Sequence, residues 1–171
     1  MTDPQFQSLL EGNGLLSGLD PLSRTALCMY FHPADFAAGE VLLAAGGGGD
    51  RMLLLLSGQV EVRVPAGGDT HAVATLGPDN LLGEVAFFGQ DQPRTADVVA
   101  LDTVRTALLD RATYQTMLAS DPGATETLEK LVLDLMLDRV AETNDRMVEL
   151  VRAHADDPAF RATARMLASR E

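Results

Sequence analysis

Glu84 directly follows Gly83, and ten residues later Arg94 directly precedes Thr95. A short helical turn opening at Gly83 aims the backbone N–H groups of Glu84, Val85 and Ala86 at one point. The glycine at its head lets a ligand approach the main chain closely. Arg94 adds a planar, permanently charged fork suited to phosphate oxygens. A carboxylate beside a phosphate is repulsive, so Glu84 fits only if it faces another part of the ligand, and a sugar hydroxyl is the donor that suits it. The pair therefore spells phosphate plus sugar. The same residues also suit a plain reading, in which Gly83-Glu84 is a helix start with a favourable N-terminal charge and Pro93-Arg94 is a loop. Taken alone, the stretch leaves both readings open.

Other residues with reactive or ligating side chains are scattered. Cys28, the single cysteine, excludes an internal disulfide, fits a reducing compartment and sits in an apolar helical context that predicts an inert core thiol. The tetraglycine at 46–49 has the composition of a phosphate loop, but no Lys-Ser/Thr follows it and no parallel strand–helix unit surrounds it. It reads as a flexible hairpin. A metal-dependent cupin would need histidines clustered on barrel strands, whereas His32, His71 and His154 fall in three separate places. No metal, cofactor or catalytic residue is expected.

The elements that must position the cradle follow from periodicity. From 35 to 109, short apolar runs alternate with turn residues at near-even intervals, the pattern of an antiparallel barrel or sandwich. The runs are Val41–Ala45, Met52–Leu56, Gln59–Val64, His71–Leu76, Ala96–Leu101 and Val104–Leu109. Met52–Leu56 does not alternate, which predicts burial on both faces or cover by a helix. Ser57-Gly58 reads as a tight turn. Ahead of the strands, Phe6, Leu9 and Leu10 suggest a loosely docked helix, and Asp20-Pro21 starts a second one that ends near His32-Pro33.

Behind the strands, Arg111–Ala119 is a short helix, broken by 120–123. A long helix runs from Ala124 to Ala155, with Asp134, Asp138, Asp145 and Arg152 on one face. The opposite face carries Leu128, Val132, Met136, Val140, Thr143, Met147, Leu150 and Val151. Its apolar arc is broad in the first half and narrows to a coiled-coil-like seam beside Thr143 and Asn144 in the second. That pattern predicts packing on the strands first and pairing with a second copy later.

The chain of 171 residues, 46% hydrophobic and 22% charged, is long enough for one globular domain with a helical appendage. Residues 1–120 read as the strand domain with its N-terminal helices, 121–155 as the long helix for dimerisation and as a lid, and 156–171 as a short tail. The net charge of −12, with Lys130 the single lysine, repels nucleic acid in the absence of a basic patch. The N-terminal residues lack a signal pattern, and runs such as Met52–Leu56 are too short to span a bilayer, so a cytoplasmic protein without membrane contact is expected.

In this order of elements the sequence resembles the cyclic-nucleotide-binding domain family, as in bacterial catabolite-activator-type regulators and kinase regulatory subunits. The resemblance covers about residues 15 to 154. It rests on Ala38-Gly39-Glu40, Ser57-Gly58-Gln59-Val60-Glu61-Val62 and Leu76-Gly77-Pro78, and above all on Gly83-Glu84-Val85-Ala86-Phe87-Phe88 with Pro93-Arg94-Thr95-Ala96. The resemblance implies a mainly β fold with α, an antiparallel β-barrel or jelly roll flanked by N-terminal helices and a long C-terminal helix.

It also implies roles for single residues. Arg94 would pair with the cyclic phosphate, Glu84 would accept from the ribose 2′-hydroxyl, and backbone amides near Gly83, Ala86 and Thr95 would complete the cradle. Thr95 could also bond the phosphate or a syn guanine. Thr143 and Asn144 match the region from which transcription-factor members reach the purine, although the link to the long helix is about one turn longer here.

Leu82 stands where the family usually has an aromatic residue. The chain stops at Glu171 without a helix-turn-helix domain, so no DNA binding by this chain itself is expected. The implied function is a non-enzymatic cAMP or cGMP sensor, homodimeric through its long helix, that signals to an unidentified downstream protein. A fold retained as a protein-interaction scaffold and a cupin-type enzyme are the alternatives.

Overall fold

A computed structural model describes residues 3–89, 92–154 and 158. Two short helices open the chain, α1 (Pro4–Glu11) and α2 (Pro21–Cys28), and both use one device. An aspartate caps each: Asp3 Oδ1 accepts from the N–H groups of Gln5 and Phe6, and Asp20 Oδ1 accepts from those of Leu22 and Ser23. A proline then holds the first helical position. α1 is packed more firmly than a loosely docked helix, since Phe6 and Leu10 are both fully buried.

Among the described residues eight strands follow: β1 (His32–Phe36), β2 (Val41–Leu43), β3 (Arg51–Ser57), β4 (Val60–Ala66), β5 (Asp69–Leu76), β6 (Leu81–Leu82), β7 (Asp97–Ala100) and β8 (Val104–Asp110). They form two four-stranded antiparallel sheets, ordered β1-β8-β3-β6 and β2-β7-β4-β5. This is a jelly roll of two facing sheets, and the sheets are not closed into a barrel. Leu42, Leu53, Leu55, Val60, Leu82, Val98 and Val104 fill one buried cluster of its core. β3 lies between β8 and β6, and Met52 to Leu56 are all buried because α1 and α3 (Glu84–Phe88) also pack on it. The non-alternating run therefore has both faces covered.

Two strands escape the periodicity. β1 begins at His32-Pro33, where the sequence suggests a helix end; it is an edge strand paired only with β8, the one place a proline fits a ladder. β6 is two residues long, too short to alternate, and its register of Leu53 with Leu82 and Leu54 with Leu81 places the next residue, Gly83, beside β3.

The chain divides into two compact units, Met1–Leu128 and Glu129–Glu171. The first ends with α4 (Arg111–Ser120) and the opening turns of α5 (Pro122–Ala153). α5 starts at Pro122 rather than Ala124 because Asp121 caps it, accepting from the Ala124 N–H at 3.0 Å. In the second unit, Leu133, Leu137, Val140, Met147 and Val151 are each more than half exposed. With exposed Asn144 they step along the helix by alternating four and three residues. Expectations for Ala155 and for the tail 156–171 fall outside the described residues. Among the described residues no helix is long and apolar enough to cross a membrane.

Arg105 on β8 faces Asp35 on β1 in direct register and grips its carboxylate with two bonds, Nε to Oδ1 at 2.8 Å and Nη2 to Oδ2 at 3.1 Å. Its Nη1 also reaches the α1 cap residue Asp3 at 3.1 Å. The Arg105 hydrogen bonds hold the Asp35 carboxyl below its usual range. A depressed carboxylate stabilises the fold above its unfolded pKa of about 3.9, and that contribution disappears as pH falls through the folded value. Arg105→Leu therefore lowers the melting temperature at pH 7, and the gap from wild type closes in melts carried down to about pH 2.5.

Candidate functional site

Three segments of the first unit meet around Gly83: the loop 44–50 joining β2 to β3 with the first residue of β3, the β6–α3 junction, and the stretch 92–96 that leads into β7. Gly83 caps α3 in the left-handed region, with φ 81° and ψ 5°. A Cβ there would overlap Arg94 Nη1 and come within 2.9 Å of Leu43 Cδ1, so both dihedral and space require glycine. The helical ladder of α3 begins with the Phe87 N–H donating to Gly83 O at 3.0 Å. The amides of Glu84, Val85 and Ala86 precede it.

Arg94 is only 7% exposed. Its Nη2 donates to Arg51 O at 2.7 Å and to Asp50 Oδ1 at 3.1 Å, while Asp50 Oδ2 meets Arg51 Nε at 3.3 Å. Its Nη1 is buried without a hydrogen-bond partner among the described residues and lies against Gly83. An unsatisfied buried donor costs about 1–3 kcal/mol, more for a charged group, so this nitrogen is primed for an acceptor. The backbone of Arg94 is fixed separately: its N–H donates to Gly47 O at 2.9 Å and its carbonyl accepts from Gly46 N–H at 2.8 Å.

The first unit thus brings Gly83 and Arg94 into contact, with Glu84 the next residue in the chain and only 3% exposed. Ala86 is buried, Ala96 half-buried and Thr95 exposed. The Val85 side chain faces solvent, so whatever it offers the cradle comes from its main chain. Thr143 and Asn144 lie in the second unit, both exposed on α5, with the Thr143 hydroxyl donating to Arg139 O at 2.8 Å. Cys28 lies outside this region, where burial, reinforced by the Glu11 carboxylate, pushes its thiol up to about 11. It is protonated at neutral pH.

Sequence reasoning missed Asp50, the Arg51 carbonyl, the glycine loop and Arg111. The loop is a built bracket rather than a flexible hairpin: Gly46 has φ 76°, Gly46 and Gly47 pair with Arg94, and a Cβ on Gly49 would overlap Ala86 O. Four consecutive glycines signal close backbone approach only once the approaching partner is known. Arg111 did carry a legible signal, because a cation in the first turn of a helix opposes the helix dipole and needs another reason to be there.

Gly83→Ala should lower stability by at least the roughly 1–2 kcal/mol of a left-handed Cβ, and by more once Arg94 is displaced. Gly18→Ala, where an added Cβ meets nothing within 4 Å, serves as the control and should stay within about 0.5 kcal/mol of wild type. Urea midpoints of the two variants test this.

The jelly roll with its buried arginine has clear relatives. The family model described as cyclic nucleotide-binding domain matches residues 33–121. A CRP-like cAMP-activated global transcriptional regulator of Mycobacterium tuberculosis is 29% identical over 148 residues, 85% of this chain and 63% of that protein. A cAMP-dependent protein kinase regulatory subunit of Dictyostelium discoideum is 31% identical over 113 residues, 64% of this chain and 34% of that protein. This chain therefore spans less than two thirds of the length of either. Among solved structures, a cyclic nucleotide-binding domain from Methylobacillus flagellatus superposes with a TM-score of 0.70 at 25% identity, covering 83% of this chain and 80% of that one. By the span of the family match and the fold that carries it, the chain belongs to the cyclic nucleotide-binding domain family.

Proposed function

We propose that this chain is a cyclic-nucleotide sensor without catalytic activity of its own, that cAMP is its ligand, and that it signals through a rearrangement of the strand domain and long helix. The observation that carries the reading is Arg94 Nη1, a buried guanidinium nitrogen without a partner, pressed against the glycine that opens α3. An equatorial phosphate oxygen placed there satisfies that nitrogen and meets the amides of Glu84 to Ala86. The Thr95 and Ala96 main chain closes the other side. Glu84, buried one residue from Gly83, takes the ribose 2′-hydroxyl, a neutral donor that a carboxylate binds without repulsion. cAMP is favoured over cGMP because the M. tuberculosis regulator, similar over 85% of this chain, is named as cAMP-activated.

In this reading Thr143 and Asn144 reach the purine from α5, and α5 also pairs with a second copy. Support for pairing comes from the exposed series Leu133, Leu137, Val140, Asn144, Met147 and Val151. Its 4-3 spacing is that of a coiled-coil seam. The ligand shifts the equilibrium only by binding one arrangement better than another.

Titration calorimetry with cAMP and cGMP tests the ligand. Each charge-assisted bond contributes about 1.5–3 kcal/mol, so Arg94→Ala should weaken binding by roughly ten- to 150-fold. The variant should still fold, with a modestly lower urea midpoint: Arg51 O loses its donor, but the Arg94 backbone keeps its bonds to Gly46 and Gly47 and the Asp50 carboxylate, 64% exposed, is solvated. A folded wild type that binds neither nucleotide leaves the scaffold reading in its place.

Light scattering tests the dimer. Val140→Glu with Met147→Glu should reduce the particle from two copies of the 18.2 kDa chain to one. A wild type that is already monomeric at micromolar concentration overturns the seam.

A further inference from the structure

We infer that Arg111 is a positioning residue that couples the anion-binding arginine and α3 to the first turn of α4, so that engagement of the cradle is felt in α4. The inference rests on the cyclic-nucleotide reading of the cradle. Arg111 is the first residue of α4, yet its N–H and its guanidinium both donate backwards into the site. Its N–H donates to Asp50 O at 2.8 Å. Its Nη2 donates to Gly49 O at 2.7 Å and to Phe87 O, and its guanidinium lies over the Phe87 ring, 4.3 Å from the centroid.

One side chain thus holds two carbonyls from two different elements. The first belongs to the loop whose Asp50 holds Arg94 Nη2, and whose Gly46 and Gly47 hold the Arg94 backbone. The second belongs to α3, the turn that opens at Gly83. Loop and α3 also touch main chain to main chain at Gly49 and Ala86, so neither can move toward the other. An anion that draws Arg94 Nη1 or the α3 amides pulls on this bracket, and Arg111 is its polar tie to α4. An apolar tie runs alongside, because Phe87, Phe88 and Tyr114 meet edge to face with centroids 5.2–5.5 Å apart. Substitution at 111 uncovers one face of the Phe87 ring but leaves the three ring–ring contacts, which keep α4 docked when the polar tie is removed.

The geometry needs a planar fork as well as a charge. A lysine ammonium is a compact point donor and does not reproduce a guanidinium spread between two carbonyls and stacked on a ring. Arg111→Lys therefore separates charge from geometry, and Arg111→Met removes both.

The test measures wild type, Arg111→Lys and Arg111→Met as full chains, by calorimetry with cAMP and cGMP and by hydrogen exchange with and without nucleotide. In wild type, binding should protect amides at 83–89, 94–95 and 112–120. In both variants affinity should fall several-fold, although residue 111 is outside the cradle. Protection at 83–89 should persist, and the ligand-dependent part at 112–120 should drop to a small fraction. A purely structural role raises exchange at 112–120 equally with and without nucleotide, leaving the ligand-dependent difference at its wild-type size, and that result overturns the coupling. Variants that match wild type in both readouts overturn it as well. Wild type that binds neither nucleotide overturns the cradle reading itself and shows before any variant is made. Should Arg111→Met fail to fold, Arg111→Lys alone decides.

Discussion

A guanidinium leaves water only where the protein offers it fixed acceptors, and most of the site is arranged around doing that for Arg94. Its acceptors are unequal: Arg51 O is a main-chain carbonyl locked in β3, whereas the Asp50 carboxylate is solvent-exposed and shared with Arg51. Its Nη1 faces a glycine and has no acceptor among the described residues. Such a charge is held tightly in position and satisfied only in part. An acceptor placed at Nη1 would meet that deficit without first displacing another.

The consequences spread through the fold. β6 needs only two residues because its task is to bring Gly83 beside β3. Gly83 must be left-handed to turn the chain into α3 with the guanidinium against its Cα. Within the loop 46–49, Gly46 is left-handed and a Cβ on Gly49 would overlap Ala86 O of α3, so these two positions require glycine. Even the edge strand β1, with its proline, serves this end by flanking β8, whose last residue delivers Arg111 to the site.

Much of this was legible because it is written in residue types. Glu84 and Arg94 announce themselves by charge and spacing, the strands by turn residues, and α2 by Asp20-Pro21, whereas the matching Asp3-Pro4 start of α1 was not read. What stayed hidden is written in the main chain. The partners that hold Arg94 include the carbonyls of Arg51 and Gly47, and a carbonyl has no signature in a sequence. β1 was hidden for a related reason: His32-Pro33 punctuates a helix as readily as it opens an edge strand, and only the pairing with β8 separates the two. On α5, a helical projection finds an apolar face but does not say which part of it the first unit's end of the helix already uses. The exposed 4-3 series became visible only once Val132 was seen to be buried and Leu133 and Leu137 exposed.

The contact between Gly49 and Ala86 O has a consequence for how such a chain can change over generations. Most tight contacts join two side chains, so a larger residue on one side can be rescued by a smaller one on the other. Here the opposing atom is a main-chain oxygen, present whatever residue occupies position 86. No second-site replacement trims it. Position 49 thus admits one residue type for as long as the loop keeps its seat on α3, and drift at this point must move the loop as a whole or not occur at all.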